Sequence, residues 1–147
     1  MLDISIKTFE QLSLEELYFI LQLRSEVFVV EQDCVYQDID AKDQYALHII
    51  GKKDTKIIAY TRVFKGGDYF KEASIGRVVV SLKDRHLNYG QQIMEASIVA
   101  IKNNYDTSEI KISAQKYLEN FYNNLGFKTI GDSYLEDGIP HIAMLKN

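Results

Sequence analysis

The stretch 75–92, IGRVVVSLKDRHLNYGQQ, joins a run of β-branched residues to a polar loop and then to a helical pattern. The run at 75–80 predicts a strand that is buried on both faces. A loop between a buried strand and the start of a helix presents unpaired amide N–H groups. It also lies at the positive end of the helix dipole. The stretch therefore predicts a binding site for a phosphate or pyrophosphate.

The residues of this loop narrow the kind of phosphate site. The loop has no G-x-x-x-x-G-K-[ST] sequence, and Gly90 alone does not make a G-x-G-x-x-G fingerprint. Asn88 and Gly90 tolerate left-handed or tight backbone geometry, which lets amide groups converge on one anion. Lys83, Arg85 and His86 add positive charge. The alternative interpretation is a solvated loop that happens to carry basic residues.

On both sides of this stretch the hydrophobic pattern changes repeatedly between period 2 and period 3.6, which is typical of mixed α and β structure. A capping box, Ser13 with Glu16, marks the start of the first helix. Strand, loop, helix and strand follow one another from 75 to 114, an order that permits a parallel crossover. The pattern predicts helices over 13–28, 90–103 and 117–125, and strands over 4–9, 45–50, 57–64, 75–80, 110–114, 128–134 and 139–145.

Length and composition limit the class of protein. We expect 147 residues to form a single domain spanning 1–147, and 46% hydrophobic with 26% charged residues excludes a disordered chain. The net charge of −4 argues against nucleic acid as a partner. No run of ~18 apolar residues predicts a membrane span. Cys34 is the single cysteine, which fits a cytoplasmic location and excludes a cysteine cage for a metal. The oligomeric state stays open, with a homodimer among the options.

Two short motifs suggest a family. Arg85-x-x-Asn88-x-Gly90 resembles the R/Q-x-x-G-x-G/A pyrophosphate loop of the GNAT superfamily of N-acetyltransferases, with asparagine where that superfamily prefers glycine. Asparagine is the next-best residue at positive φ, so we expect the loop geometry to survive. The segment 120–127, NFYNNLGF, resembles the F-Y-x-x-x-G-F segment of the same superfamily.

Two longer blocks are more specific. The block 23–40, LRSEVFVVEQDCVYQDID, and the block 137–144, DGIPHIAM, resemble conserved segments of the ElaA-like acetyltransferases. The resemblance covers nearly the whole chain. It implies an α+β (three-layer α/β) GNAT fold: a mixed, mostly antiparallel sheet of six to seven strands, splayed at the fourth and fifth strands and flanked by about four helices.

The resemblance also implies an activity. It implies transfer of an acetyl group from acetyl-CoA, used as co-substrate without a metal, to a primary amine by direct attack in a ternary complex. The acceptor would be a small or peptidyl amine. The alternative is a non-catalytic acyl-CoA-binding or interaction module with the same fold.

The resemblance assigns the acetyl-CoA contacts to the fourth strand, the following loop and one residue of the fifth strand. In this scheme a backbone N–H near Val78 polarises the thioester carbonyl, as an oxyanion hole would. Tyr122 is the candidate general acid, because a phenol can give a proton to the departing thiolate. The implied contact residues are Val78, Val79, Val80, Arg85, His86, Leu87, Asn88, Tyr89, Gly90, Gln91 and Gln115.

The candidate general base is either of two residues. Glu31 lies at the end of the first predicted helix, beside a loop (31–43) that carries five carboxylates. That loop would attract a cationic amine if it lay at the mouth of the site, and it would otherwise be a solvated face. His141 is the second candidate, because an imidazole exchanges protons near neutral pH. The alternative for each is a structural role, in an ion pair for Glu31 and in a strand hydrogen bond for His141.

Overall fold

The computed structural model describes residues 2–147. Its strands, in chain order, are β1 (Asp3–Thr8), β2 (Leu47–Lys53), β3 (Lys56–Phe64), β4 (Ala73–Val80), β5 (Ile110–Gln115), β6 (Lys128–Glu136) and β7 (Ile139–Lys146). They form one sheet in the order β1-β2-β3-β4-β5-β7-β6. β4 and β5 run parallel, and all the other neighbours are antiparallel. The predicted mixed, mostly antiparallel sheet is confirmed.

The described part of the chain contains three α-helices: α1 (Leu14–Arg24), α2 (Tyr89–Tyr105) and α3 (Glu119–Asn123). The predicted number was about four. The first predicted helix does continue past α1, but as a π-helical segment over Ser25–Glu31. Segments of this kind occur often at functional sites. In the described chain no helix is long and apolar enough to cross a membrane.

Helices cover both faces of the sheet, so the chain has three layers. Successive residues of a strand point to opposite faces. Ile49 and Ile50 of β2 accordingly enter different clusters: Ile49 packs with Ile93 of α2, and Ile50 packs with Ile20 of α1. All four side chains are fully buried. The two cores hold α1 and α2 on opposite sides of β4, the strand that the sequence places before the phosphate loop.

β4 separates from β5 after its first two residues. The parallel pairing ends at Ser74 and Lys111, and beyond them the two strands diverge. On its other side β4 has a bulge, where Thr61 of β3 stands opposite both Arg77 and Val78, and Arg77 has a φ of +49°. A bulge adds local bend and twist to its strand. The predicted splay between the fourth and fifth strands is confirmed.

Candidate active site

A cavity of about 490 Å³ occupies the gap between β4 and β5. The backbone of β4 forms one wall, the start of α2 another, and β5 with the β6–β7 hairpin forms the far side. Of the residues that the sequence predicted for acetyl-CoA binding or catalysis, Leu87 alone does not line it. The lining includes Glu31, Val78, Val79, Val80, Arg85, His86, Asn88, Tyr89, Gly90, Gln91, Gln115, Tyr122 and His141.

The loop before α2 has the backbone geometry of an anion site. Its residues His86 and Asn88 have φ values of +70° and +64°, as expected for Asn88. The first backbone bond into the helix runs from Gln92 N to Asn88 O (3.2 Å), so the amides of the preceding helical residues have no partner within the helix. Gly90 lies in the first turn of α2, and its φ is outside the left-handed region. The left-handed geometry that the sequence allowed at Gly90 is therefore not used. A Cβ at Gly90 would meet the Phe121 ring at 3.6 Å and Val80 Cγ2 at 4.0 Å, both ordinary contact distances.

The edge of β4 that faces β5 is open from Ile75 to Val80. Backbone amide and carbonyl groups on this edge have no strand partner, so they can hydrogen-bond to an extended ligand as an added strand would. Val78 and Val80 are half-buried and line the cavity. Their contribution in such an arrangement comes from the backbone and from apolar contact.

Tyr122 of α3 lies with its ring in the core and lines the cavity. Its side chain is 5% exposed, between Phe121 and Phe127, whose ring centroids lie 5.1 and 6.1 Å away at steep angles. Burial, and to a smaller extent the neighbouring Tyr117, raises the pKa of Tyr122 above its ordinary value. The hydroxyl is therefore protonated at neutral pH and can act as a donor. No residue between 2 and 147 forms a hydrogen bond with it.

Glu31 and Arg85 form an ion pair across the cavity mouth. The two terminal nitrogens of Arg85 donate to the two carboxylate oxygens of Glu31, at 2.6 and 2.8 Å. Arg85 Nε also donates to the Val80 carbonyl oxygen, at 3.0 Å. This geometry ties the end of the π-helical segment to the phosphate loop. It gives Glu31 the ion-paired role that stood as the alternative to a general base.

His141 on β7 stands in register with Gln115 of β5 and lines the cavity. Its Nδ1 is 2.7 Å from the Ile139 carbonyl oxygen, and its Nε2 is 3.5 Å from Glu136 Oε2. Ser113 of β5 donates to Glu136 Oε1 at 3.1 Å, and its hydroxyl also forms a short hydrogen bond with the Tyr134 hydroxyl. We call Ser113, Tyr134, Glu136 and His141 the imidazole cluster. All four side chains lie on the sheet face away from α2.

The loop after the π-helical segment closes over this cavity. Gln32 Nε2 donates to Gln115 Oε1 at 3.4 Å, and the Cys34 thiol donates to the Asp137 carbonyl oxygen at 3.3 Å. These contacts join the loop to β5 and to the β6–β7 turn. Cys34 therefore has a hydrogen-bonding role between the loop and the β6–β7 turn.

The acidic stretch 31–43 is largely neutralised by arginines. Arg24, fully buried, binds Asp38 and Asp43, each at 2.8 Å. Arg62 binds Asp40 at 2.8 Å and Asp43 at 3.0 Å. Burial alone would raise the pKa of Asp40, but the hydrogen bonds from Arg62 lower it to about 2. The expectation that this stretch presents free negative charge to an amine is therefore corrected, because most of its carboxylates hold the loop in place.

Arg77, at the bulge, completes this network and faces the cavity. Its Nε lies 2.7 Å from Asp38 Oδ1, an ion pair without hydrogen-bond alignment, and its Nη2 donates to the Asp38 carbonyl oxygen at 3.0 Å. Arg77 is thus held in place by Asp38.

Sequence reasoning missed several cavity residues, chiefly Ser113, Glu136 and Asp137. A signal for Ser113 was available: it lies two residues before Gln115 on a strand, and such residues share a face. Glu136 ends β6, and Asp137 begins the turn that leads to the strand of His141. Their closeness to Ser113 depends on the strand order β5-β7-β6, which no local pattern predicts.

A splayed β4 and β5, with a turn of free amides at the start of the next helix, define a class of protein that binds acyl-CoA. The model of the acetyltransferase (GNAT) domain family matches residues 9–147. The chain belongs to this family. Membership supports acyl-CoA acyltransferase activity.

Particular relatives agree with the resemblance seen in the sequence. The chain is 42% identical to protein ElaA of Escherichia coli over 138 residues, which are 92% of this chain and 90% of that protein. The crystal structure of E. coli ElaA has a TM-score of 0.93 at 39% identity and covers all of both chains. An acyl-CoA N-acyltransferase from Pseudomonas aeruginosa has a TM-score of 0.92 at 39% identity, covering 99% of each chain. The ElaA-like assignment is confirmed.

Proposed function

We propose that residues 1–147 form a single N-acetyltransferase domain that moves the acetyl group of acetyl-CoA to a primary amine. The observation that carries the proposal is the cavity between β4 and β5, which joins an amide-rich helix start to a buried phenol. In this proposal the pyrophosphate binds the loop from Arg85 to Gln91. The pantetheine arm pairs with the open edge of β4 and with Gln115.

The chemistry is direct attack within a ternary complex. The neutral amine nitrogen attacks the thioester carbonyl carbon, and a C–N bond forms. A backbone N–H near Val78 stabilises the oxyanion that develops on the carbonyl oxygen. The C–S bond then breaks with its electron pair on sulfur, and Tyr122 gives that sulfur a proton. The base takes one proton from nitrogen and Tyr122 regains a proton from solvent, so the products are the acetylated amine and the CoA thiol.

Between the two candidate bases, the contacts favour His141. Glu31 already accepts two hydrogen bonds from the Arg85 guanidinium, which holds its charge and both of its oxygens. His141 has Nδ1 on a carbonyl oxygen, which can only accept, so Nδ1 carries the hydrogen and Nε2 has the lone pair. We therefore assign proton removal to His141, and to Glu31 the ion pair with Arg85.

The acceptor is a small or peptidyl amine. The acids that favour a cationic amine lie outside the 31–43 loop that the sequence suggested. Glu136 and Asp137 line the same cavity as His141, and neither has a lysine or arginine partner among residues 2–147. Their charge would draw an ammonium group toward the imidazole. Three expectations from the sequence stay predictions. They are a cytoplasmic location, the absence of nucleic acid and membrane from the partners, and a homodimer as one option for the oligomeric state.

The alternative function is a non-catalytic acyl-CoA-binding or interaction module. Calorimetric titration with acetyl-CoA, followed by a CoA-thiol release assay over a panel of primary amines, separates the two. A Cys34→Ser variant is suited to the release assay because it removes the only protein thiol from the readout. Binding with thiol release supports the enzyme. Binding without release on any amine would favour the module, and no binding at all would contradict both.

A further inference from the structure

The imidazole cluster contains a carboxylate whose position suggests a role in the proton transfer assigned to His141. Glu136 Oε2 lies 3.5 Å from His141 Nε2, on the ring nitrogen opposite the one held by Ile139. In the neutral ring this nitrogen carries the lone pair that can accept a proton. Once Nε2 has taken a proton, the same contact joins a cation to an anion.

Other contacts hold Glu136 in this orientation. A carboxylate only accepts hydrogen bonds, so Ser113 gives its hydrogen to Glu136 Oε1 and accepts one from the Tyr134 hydroxyl. Tyr134 also stacks on the His141 ring, with centroids 6.3 Å apart and planes 25° apart. Thus one oxygen of Glu136 is fixed by β5 while the other faces the imidazole.

We infer that Glu136 is a positioning residue for His141: it stabilises the imidazolium that forms when Nε2 takes the proton of the attacking amine, and Ser113 and Tyr134 keep it in place. The inference rests on the proposed function. In atoms, the proton leaves the amine nitrogen as the C–N bond forms, moves to Nε2, and later passes to solvent. Glu136 stays ionised throughout and forms no bond to substrate.

The imidazole of His141 has charged and titratable neighbours on several elements. Among residues 2–147, Glu136 supplies the carboxylate that pairs with His141, and Arg77 is already paired with Asp38. The other titratable side chains that line this part of the cavity or pack around it are Cys34, Tyr36, Tyr117, Tyr122, Tyr134 and Asp137.

The test is Glu136→Gln, with Asp132→Asn as its matched control. Asp132 is an exposed acid on the same strand, outside the cavity, so its change removes the same charge elsewhere. A unit charge 3.5 Å away, even at the dielectric constant of water, changes a proton equilibrium roughly tenfold. In Glu136→Gln we therefore expect the acid limb of the kcat profile to move about one pH unit lower. Plateau kcat should fall roughly threefold to tenfold, with acetyl-CoA affinity unchanged.

Several results would overturn the inference. An acid limb that does not move in Glu136→Gln, or that moves equally in Asp132→Asn, contradicts it. A raised KM for the amine with kcat and the acid limb unchanged would instead make Glu136 an acceptor-binding residue. Ser113→Ala should reproduce the effect in smaller size, and a profile identical to that of the unchanged protein would also contradict it.

A second measurement does not depend on turnover. The chain has three histidines, so the imidazole NMR signals of His141 can be assigned by their loss in His141→Gln. The titration curve of those signals should differ between Glu136→Gln and the unchanged protein, with the imidazolium losing its proton at lower pH in the variant. Equal midpoints refute the inference. If the unchanged protein releases no CoA thiol, the proposed acetyl transfer is refuted. The NMR result would still show whether Glu136 interacts with His141.

Discussion

Replacing Tyr122 with phenylalanine separates chemistry from packing at the centre of the cavity. The substitution removes one oxygen atom and leaves the ring between Phe121 and Phe127. Because no residue between 2 and 147 hydrogen-bonds to that hydroxyl, its loss should change the free energy of unfolding by less than about 0.5 kcal/mol. Truncation to alanine, by contrast, empties a site that is 5% exposed and should lower it by roughly 3–5 kcal/mol.

The effect on turnover should be much larger than the effect on stability. A positioned general acid typically contributes about 100-fold to 10,000-fold, so kcat of Tyr122→Phe should fall by ~100-fold or more. The dissociation constant for acetyl-CoA should stay within about twofold, because the open edge of β4 and the α2 amides are untouched. Since the pKa of Tyr122 is raised above its ordinary value, activity of the unchanged protein should not decline through loss of this proton at moderately alkaline pH.

Three measurements check this: urea unfolding, calorimetric titration with acetyl-CoA, and CoA-thiol release with the best amine of the panel. Tyr117→Phe is the matched control, because Tyr117 also lines the cavity but is largely exposed. If Tyr122→Phe keeps its kcat, the phenol is not the acid. If affinity or stability falls as much as kcat, the residue serves binding or packing, and the reasoning is wrong.

Further predictions concern the loop, the ion pair and the acidic network. Asn88→Val should weaken acetyl-CoA binding roughly tenfold by calorimetry, because a β-branched residue resists a φ of +64°. Asn88→Gly, the control, should bind acetyl-CoA as the unchanged protein does. Equal affinity in all three proteins would contradict the loop assignment. Glu31→Gln should leave kcat within about twofold. It should also tighten acetyl-CoA binding, since it releases Arg85 toward the phosphates. A large fall in kcat would restore Glu31 as the base. The free energy of unfolding should decrease as the pH falls from about 4 to about 2, because Arg62 lowers the pKa of Asp40 to about 2 and protonation of this acid then opposes folding. Asp40→Asn should flatten that part of the pH curve in urea denaturation, and an unchanged slope would count against the contribution of this acid.

The sequence determined the parts of the site that are local along the chain. A β-branched run, a polar loop with Asn88 and a helical pattern follow one another within 75–92, and the strand, the left-handed residue and the helix start were found there. Local hydrogen bonding and hydrophobic periodicity dictate such elements, so they can be predicted without knowledge of the remaining chain. The family motifs around Tyr122 and at 137–144 added the far side of the cavity.

Tertiary structure alone decided which charges meet. Glu31 and Arg85 lie 54 positions apart in the chain, and Ser113 is 23 positions from Glu136, yet each pair is in hydrogen-bond contact. The sequence suggested a free acidic loop, but buried arginines neutralise it. The sequence also suggested a helix that continues to Phe28, and a π-helical segment replaces the end of that helix. The physical reason is that an ion pair depends on distance through space. That distance was set by the order β5-β7-β6 and by the packing of α1 on β3 and β4, neither of which leaves a periodic signal in the chain.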